Sequence, residues 1–129
     1  MPREKKIEQS SKKHFWHSAR KGREVAREVS INDLENAIAS GEFVVDVRED
    51  WEFQAGHVPN AKHIPLNTIP DRLAEIPKDQ PVWVICQAGG RSMTAANYLE
   101  AQGYDVVSVA GGTGSWIQSG KEVSLEASK

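Results

Sequence analysis

The residues best suited to chemistry are Cys86 and the short segment that follows it. Cys86 is the only cysteine among 129 residues and directly follows the apolar run Val82–Ile85, which is typical of a buried strand. Two glycines in the next segment allow several backbone N–H groups to turn toward one point, where they can bind an anion. A cysteine there is predicted to favour its thiolate, the nucleophilic form. The residues of this loop are Gln87, Ala88, Gly89, Gly90, Arg91 and Ser92.

Short apolar runs alternate with helical patterns on both sides of this loop. Besides the run before Cys86, residues 43–47 and 105–109 are predicted to be buried strands. This alternation favours an α/β fold with a parallel sheet and crossover helices. Open sheets of this kind place ligand sites at the carboxyl ends of their strands, where Cys86 would lie. Helices are predicted from Ser30, at 51–55 and 66–73, after Arg91, and from Ser115 behind a turn at 111–114.

One carboxylate, Asp46, interrupts the apolar strand at 43–47. A buried carboxylate requires hydrogen-bond partners. We interpret Asp46 as structural support that binds loop N–H groups, Arg48 or Arg91, rather than as a catalytic proton carrier. Arg48 is assigned to structural support as well. His57, in a Gly-His-Val-Pro turn, is interpreted as a structural hydrogen-bonding residue.

Charge is distributed unevenly along the chain. Residues 1–23 carry eight Lys or Arg and two Glu, a net charge of +6, whereas the remainder has a net charge of −8. We therefore predict a basic arm at 1–23, one domain at 24–122 and a C-terminal tail at 123–129. The arm, which contains two aromatic residues, could contact nucleic acid or an anionic membrane. Basic runs of this kind are more often solvated tails, and we interpret residues 1–23 as such a tail.

Composition narrows the cellular setting. No run approaches the roughly 20 apolar residues that cross a membrane, and the first 13 residues lack the apolar segment of a secretory signal. A single cysteine cannot form an internal disulfide, which suits a reducing compartment. The protein is expected to be cytoplasmic, with its oligomeric state left open. His14 and His17 lack a third ligand nearby, and no metal site is predicted.

The order of several motifs resembles the rhodanese family. The motif Cys86-x-x-Gly89-x-Arg91-Ser92 is similar to the active-site loop of that family, and the resemblance covers about residues 28–122. Asn60 stands where the family often has glycine, and asparagine tolerates the left-handed backbone of such a turn. The other matching segments are Val45-Asp46-Val47-Arg48 with Glu52, Gly56–Ala61, Ile64-Pro65, Gly103–Val106 and Gly111-Gly112 with Trp116.

This resemblance implies both a fold and a reaction. The fold would be a five-stranded, mainly parallel sheet flanked by helices on both faces. The activity would be that of a thiosulfate sulfurtransferase, in which Cys86 takes sulfane sulfur from a donor such as thiosulfate and passes it to a thiol or cyanide. The amides of residues 87–92 would stabilise the persulfide, and Arg91 would attract the donor or brace the loop. Because the sequence contains no second cysteine, the acceptor must come from outside the chain, as an external thiol or protein acceptor or as cyanide. No metal, nucleotide or organic cofactor is implied.

Two other functions stay open. Cysteine phosphatases and arsenate reductases also place a cysteine and an arginine on a strand–loop–helix unit, but with one more residue between them than the four found here, 87–90. The shorter loop fits one sulfur atom better than a tetrahedral oxyanion. The second alternative is a non-catalytic rhodanese-like binding module. Such modules often lack the cysteine, whereas this chain has it.

Overall fold

Five strands form one sheet in the computed structural model, which describes residues 26–127. The strands are β1 (Glu28–Val29), β2 (Phe43–Asp46), β3 (Lys62–His63), β4 (Val82–Ile85) and β5 (Val106–Val109). Their order across the sheet is β1-β5-β4-β2-β3, and every pairing is parallel. The predicted five-stranded parallel sheet is confirmed. The central strand β4 ends immediately before Cys86.

Helices cover both faces of this sheet, as predicted. Because side chains alternate between the faces of a strand, Val84 and Ile85 of β4 belong to two different core clusters. Val84 packs with Leu99 of the helix Gly90–Ala101, and Ile85 packs with the buried Trp116 of the helix Gly112–Gln118. The helices are α1 (Ile31–Ala39), α2 (Asp50–Gln54), α3 (Gly90–Ala101) and α4 (Gly112–Gln118), with two short 3₁₀ helices at Leu66–Asp71 and Leu73–Glu75.

Local sequence accounts for several element ends. Ser30 caps α1, because its Oγ accepts a hydrogen bond from the Asp33 N–H at 3.1 Å. Gly41 follows the helix in the left-handed region, at φ 77°. Asn60 also adopts a positive φ of 69°, as its turn requires.

Three local predictions differ from the structure. The prediction of a turn at 111–114 is wrong, because α4 already begins at Gly112. Of these four residues, only Gly111 lies before the helix, at φ 78°. The segment 66–73 is not one helix but two 3₁₀ helices, and Pro70 lies inside the first. The two-residue strand β1 had no predicted counterpart, since so short a run carries no periodicity.

Some predictions fall outside the described residues. These are the basic arm at 1–23 and the question of a metal at His14 and His17. Within residues 26–127, no helix has the length and apolar character that crossing a bilayer demands. Ser124, in the segment predicted as a C-terminal tail, pairs with His57 through two backbone hydrogen bonds of 2.9 and 2.7 Å.

Candidate active site

Cys86 lies at the carboxyl end of the central strand, enclosed by the loop that follows it. Its side chain is 1% exposed, yet the surrounding polar groups point toward its sulfur. The Gly89 N–H donates a hydrogen bond to Sγ at 3.0 Å, and the Ser92 hydroxyl lies 3.5 Å from it. Gly89 has φ 117°, so a residue without Cβ fits this turn best. The loop thus places one backbone N–H donor and one hydroxyl group within hydrogen-bonding distance of the sulfur atom.

These contacts control the ionisation of Cys86. Burial alone raises the pKa of the thiol, but the hydrogen bonds lower it by more, so the pKa lies below its ordinary value. The strongest of the lowering contacts is the Ser92 hydroxyl, followed by the backbone N–H groups of Ser92, Gly89 and Ala88. The thiolate is therefore more populated near neutral pH than that of a free cysteine.

A second hydroxyl supports Ser92 from the neighbouring strand. Ser108 of β5 is fully buried, and its Oγ lies 2.8 Å from the Ser92 Oγ. The Ser92 hydroxyl donates its single proton to the Gly89 carbonyl at 3.1 Å and accepts a hydrogen bond from the Cys86 thiol at 3.5 Å. Sequence reasoning missed Ser108. The available signal was one polar residue inside the apolar strand Val106–Val109, the same signal that identified Asp46.

Arg91 is bound by a carboxylate on a different element. Its Nη1 and Nη2 donate to Oε1 and Oε2 of Glu52 in α2, at 2.8 and 2.9 Å. Hydrogen bonding to Arg91 is the main cause that lowers the pKa of Glu52 to about 2, against the opposing effect of burial. The same contact raises the pKa of Arg91. The guanidinium group thus joins α2 to the start of α3, and sequence analysis had given Glu52 no role.

Asp46 and Arg48 form a buried pair that reaches the loop. Asp46 Oδ1 accepts from the backbone N–H and Nε of Arg48, both at 3.0 Å, and Oδ2 accepts from Nη2 at 2.9 Å. The two residues are 0% and 3% exposed. Arg48 also donates to the Gly56 carbonyl at 2.9 Å and to Gln87 Oε1 at 3.0 Å. Among the partners expected for Asp46, the structure shows Arg48, and through it Asp46 is linked to the first residue after Cys86.

His57 and a cavity beside it lie apart from this loop. His57 is buried, with Nδ1 hydrogen-bonded to the Phe53 carbonyl at 2.8 Å and its ring stacked on Phe53. A cavity of about 690 Å³ between α1, α4 and the segment 122–127 includes His57 in its lining but no residue of 86–92. Between residues 26 and 127, no three His, Cys, Asp or Glu side chains group in a way that could hold a metal ion.

Comparisons with known proteins agree with this arrangement. A family model of the rhodanese-like domain matches residues 30–119. A sulfurtransferase of Allochromatium vinosum is 37% identical over 99 residues, covering 74% of this chain and 92% of that protein. The thiosulfate sulfurtransferase GlpE of Pseudomonas savastanoi pv. phaseolicola is 42% identical over 77 residues, or 59% of this chain and 73% of that protein. The crystal structure of a rhodanese-related protein from Thermoplasma volcanium has a TM-score of 0.73 at 35% identity, covering 78% of this chain and 99% of that one.

The fold defines an α/β protein of the rhodanese class, with one cysteine at the carboxyl end of its central strand. The chain belongs to the rhodanese family, because the family model and the similar proteins cover most of the described residues. The predicted family membership is confirmed. Its curated relatives carry sulfurtransferase names, which places the chain among rhodanese-like sulfurtransferases at the level of the family.

Proposed function

We propose that this protein moves sulfane sulfur from a donor such as thiosulfate to an external thiol or cyanide, through a persulfide on Cys86. The Cys86 thiolate attacks the outer sulfur of thiosulfate. A bond forms between Sγ and that sulfur while the sulfur–sulfur bond of thiosulfate breaks, and sulfite leaves with the electron pair. The observation that carries this proposal is the convergence of the Gly89 N–H and the Ser92 hydroxyl on Sγ.

The second half of the reaction requires an acceptor from outside. Cys86 is the only cysteine, so no second thiol of the same chain can resolve the persulfide. An acceptor thiolate attacks the outer sulfur, and Cys86 leaves as a thiolate that the loop donors stabilise. Because Cys86 is 1% exposed, a small group such as one terminal sulfur atom approaches Sγ more readily than a bulky one. The amides of residues 87–92 would hold the persulfide, and Arg91 would brace the loop while contributing positive charge.

Intact mass spectrometry tests the proposal directly. The wild-type protein should gain about 32 Da, one sulfur atom, after incubation with thiosulfate and lose it again when cyanide or a thiol is added. Cys86→Ser should gain nothing. A wild-type mass that stays constant with thiosulfate and with a persulfide donor such as glutathione persulfide would contradict a sulfur-carrying Cys86.

Assays with different substrates distinguish the proposed sulfurtransferase from the two alternative functions. A phosphatase would hydrolyse p-nitrophenyl phosphate, whereas the shorter loop at 87–90 is expected to give turnover only with thiosulfate and cyanide. A pure binding module would show neither activity but would lose a partner when residues 1–23 are deleted. We also propose a cytoplasmic location, because a nucleophilic thiol must be kept reduced.

A further inference from the structure

The glycine-rich segment that opens α4 lies directly against the Cys86 loop. The Thr113 N–H donates to the Cys86 carbonyl at 2.8 Å, and the Gly114 N–H donates to the Gln87 carbonyl at 3.0 Å. Both donors belong to the first turn of α4, where backbone N–H groups have no partner inside the helix. The two acceptors are the first two carbonyls of the loop. Each contact therefore satisfies a free N–H group and fixes one peptide group beside the sulfur.

Fixing these carbonyls also fixes the direction of the loop amides. In a trans peptide the C=O and the following N–H point in opposite directions. With the Gln87 carbonyl held toward α4, the Ala88 N–H of the same peptide group points away from α4. That N–H is one of the backbone groups that lower the pKa of Cys86. The start of α4 is thus connected to the sulfur through a single rigid peptide plane.

Close approach of α4 depends on Gly112. Its φ is 59°, and a Cβ on this residue would overlap the Cys86 carbonyl oxygen and lie 2.6 Å from the Gln87 carbonyl oxygen. Both contacts involve backbone, which cannot rotate away as a side chain would. Gly114 has a milder constraint, because its Cβ would lie 3.2 Å from the Gln87 oxygen without a positive φ. Any larger residue at position 112 must displace the loop, α4, or both.

We propose that the segment Gly112–Gly114 is a positioning element of the sulfur site, which holds the Cys86 and Gln87 carbonyls so that the loop amides face Sγ. This inference rests on the proposed function of Cys86 as the sulfur carrier. The proposed role of the Gly111–Gly114 motif is therefore to orient the peptide groups around the sulfur. The segment acts through the peptide groups that it holds.

The test compares Gly112→Ala with a glycine at the other end of the same helix. Gly120 has a positive φ of 79°, but a Cβ there meets nothing within 4 Å. Gly120→Ala therefore imposes the backbone cost of a left-handed alanine without touching the loop. The readout is the pH dependence of Cys86 alkylation by iodoacetamide, which measures the thiol pKa without any sulfur donor. Gly112→Ala should shift the midpoint to higher pH and slow alkylation at neutral pH several-fold, whereas Gly120→Ala should match the wild type.

A second variant keeps the test decisive if Gly112→Ala does not fold. Gly114→Ala needs a displacement of only a few tenths of an ångström and should shift the midpoint in the same direction by less. A folded Gly112→Ala or Gly114→Ala with a wild-type midpoint would overturn the proposal, as would an equal shift in Gly120→Ala. Unfolding of both variants would overturn it too, because the segment would then serve the fold as a whole. If the wild type gains no sulfur from a donor, the proposed function fails, while the alkylation result still reports whether α4 orients the amides.

Discussion

Arg91 and Glu52 are 39 residues apart in sequence, yet their side chains form two parallel hydrogen bonds of 2.8 and 2.9 Å. Glu52 is 10% exposed and Arg91 is 36% exposed, so the pair lies at the border of the loop and solvent. Such a bidentate geometry fixes the plane of the guanidinium group. The positive charge beside Cys86 is consequently compensated by a carboxylate before any substrate arrives.

Replacing Glu52 by glutamine should expose this charge to the donor. Glutamine keeps the size of the side chain but removes its negative charge, so Arg91 would attract a dianion such as thiosulfate more strongly. We expect the KM for thiosulfate to fall several-fold in Glu52→Gln, together with a lower melting temperature because the loop loses its brace. Steady-state kinetics with cyanide as acceptor measure the first effect and thermal unfolding measures the second.

A matched control exists elsewhere in the chain. Arg72 and Glu75 also form a bidentate pair, with two hydrogen bonds of 2.8 Å. Arg72 likewise lowers the pKa of Glu75 to about 2. Glu75→Gln should leave the KM for thiosulfate unchanged. A KM that stays constant in Glu52→Gln, or falls equally in both variants, would show that Arg91 does not govern donor binding.

The Glu52–Arg91 pair also predicts how stability depends on pH. The pKa of Glu52 is about 2 in the folded protein, against an ordinary value of about 4.3 in an unfolded chain. Between these values the unfolded state binds more protons, so stability decreases as the pH falls. The contribution of this carboxylate is complete above about pH 4.3 and is lost as the pH approaches the folded pKa.

The measurement is the difference in the free energy of unfolding between wild type and Glu52→Gln, obtained from urea titrations over an acidic pH series. Other carboxylates titrate in both proteins, so only the difference reports on Glu52. It should be largest near neutral pH and shrink steadily below about pH 4. A difference that stays constant down to about pH 2.5 would mean that Arg91 does not stabilise the ionised carboxylate.

The sequence predicts structural features whose interacting residues are close along the chain better than contacts between residues far apart along the chain. The strand before Cys86 and the helix that follows its loop were both predicted, from local apolar periodicity and from glycine, although the helix begins at Gly90 rather than near Arg91. The pairing of Arg91 with Glu52 was not predicted, because periodicity carries no information on which side chains of different elements are in contact. The same limit explains the wrong turn at 111–114. Glycines at these positions are typical of a local turn, whereas in the structure they allow α4 to lie close to the carbonyls of a loop that is distant in sequence.

The hydroxyl of Ser92 is expected to set the reactivity of Cys86. It is the strongest of the contacts that lower the pKa of that thiol, and burial acts in the opposite direction. Ser92→Ala removes the hydroxyl but leaves the backbone donors, so the thiol pKa should rise and alkylation by iodoacetamide at neutral pH should slow several-fold. The pH profile of the alkylation rate measures this change.

Two further substitutions serve as comparisons for Ser92→Ala. Thr94 lies in the same helix with its hydroxyl bonded to the Gly90 carbonyl at 3.3 Å in an exposed position, so Thr94→Ala should retain the wild-type profile. Ser108→Ala should raise the thiol pKa less than Ser92→Ala, because Ser108 acts only through its 2.8 Å contact with Ser92. A wild-type profile in Ser92→Ala would show that the backbone amides alone stabilise the thiolate.

The buried pair of Asp46 and Arg48 should combine a structural and a functional effect. Asp46→Ala leaves the guanidinium of Arg48, 3% exposed, without its carboxylate. Removing one partner of a buried ion pair typically costs about 3–5 kcal/mol of stability. Arg48 also holds the Gln87 side chain at 3.0 Å, so the sulfur-transfer rate should fall as well. Urea unfolding and the thiosulfate–cyanide assay measure the two losses.

The double variant Asp46→Ala/Arg48→Met distinguishes an unpaired charge from lost packing. Because methionine carries no charge, the double variant should be more stable than Asp46→Ala alone, despite its second substitution. Its sulfur-transfer rate should remain low, since the hydrogen bond from Arg48 to Gln87 is also gone. If Asp46→Ala instead keeps wild-type stability and loses only activity, Asp46 takes part in the chemistry. In that case its contacts with Arg48 would not be its main role.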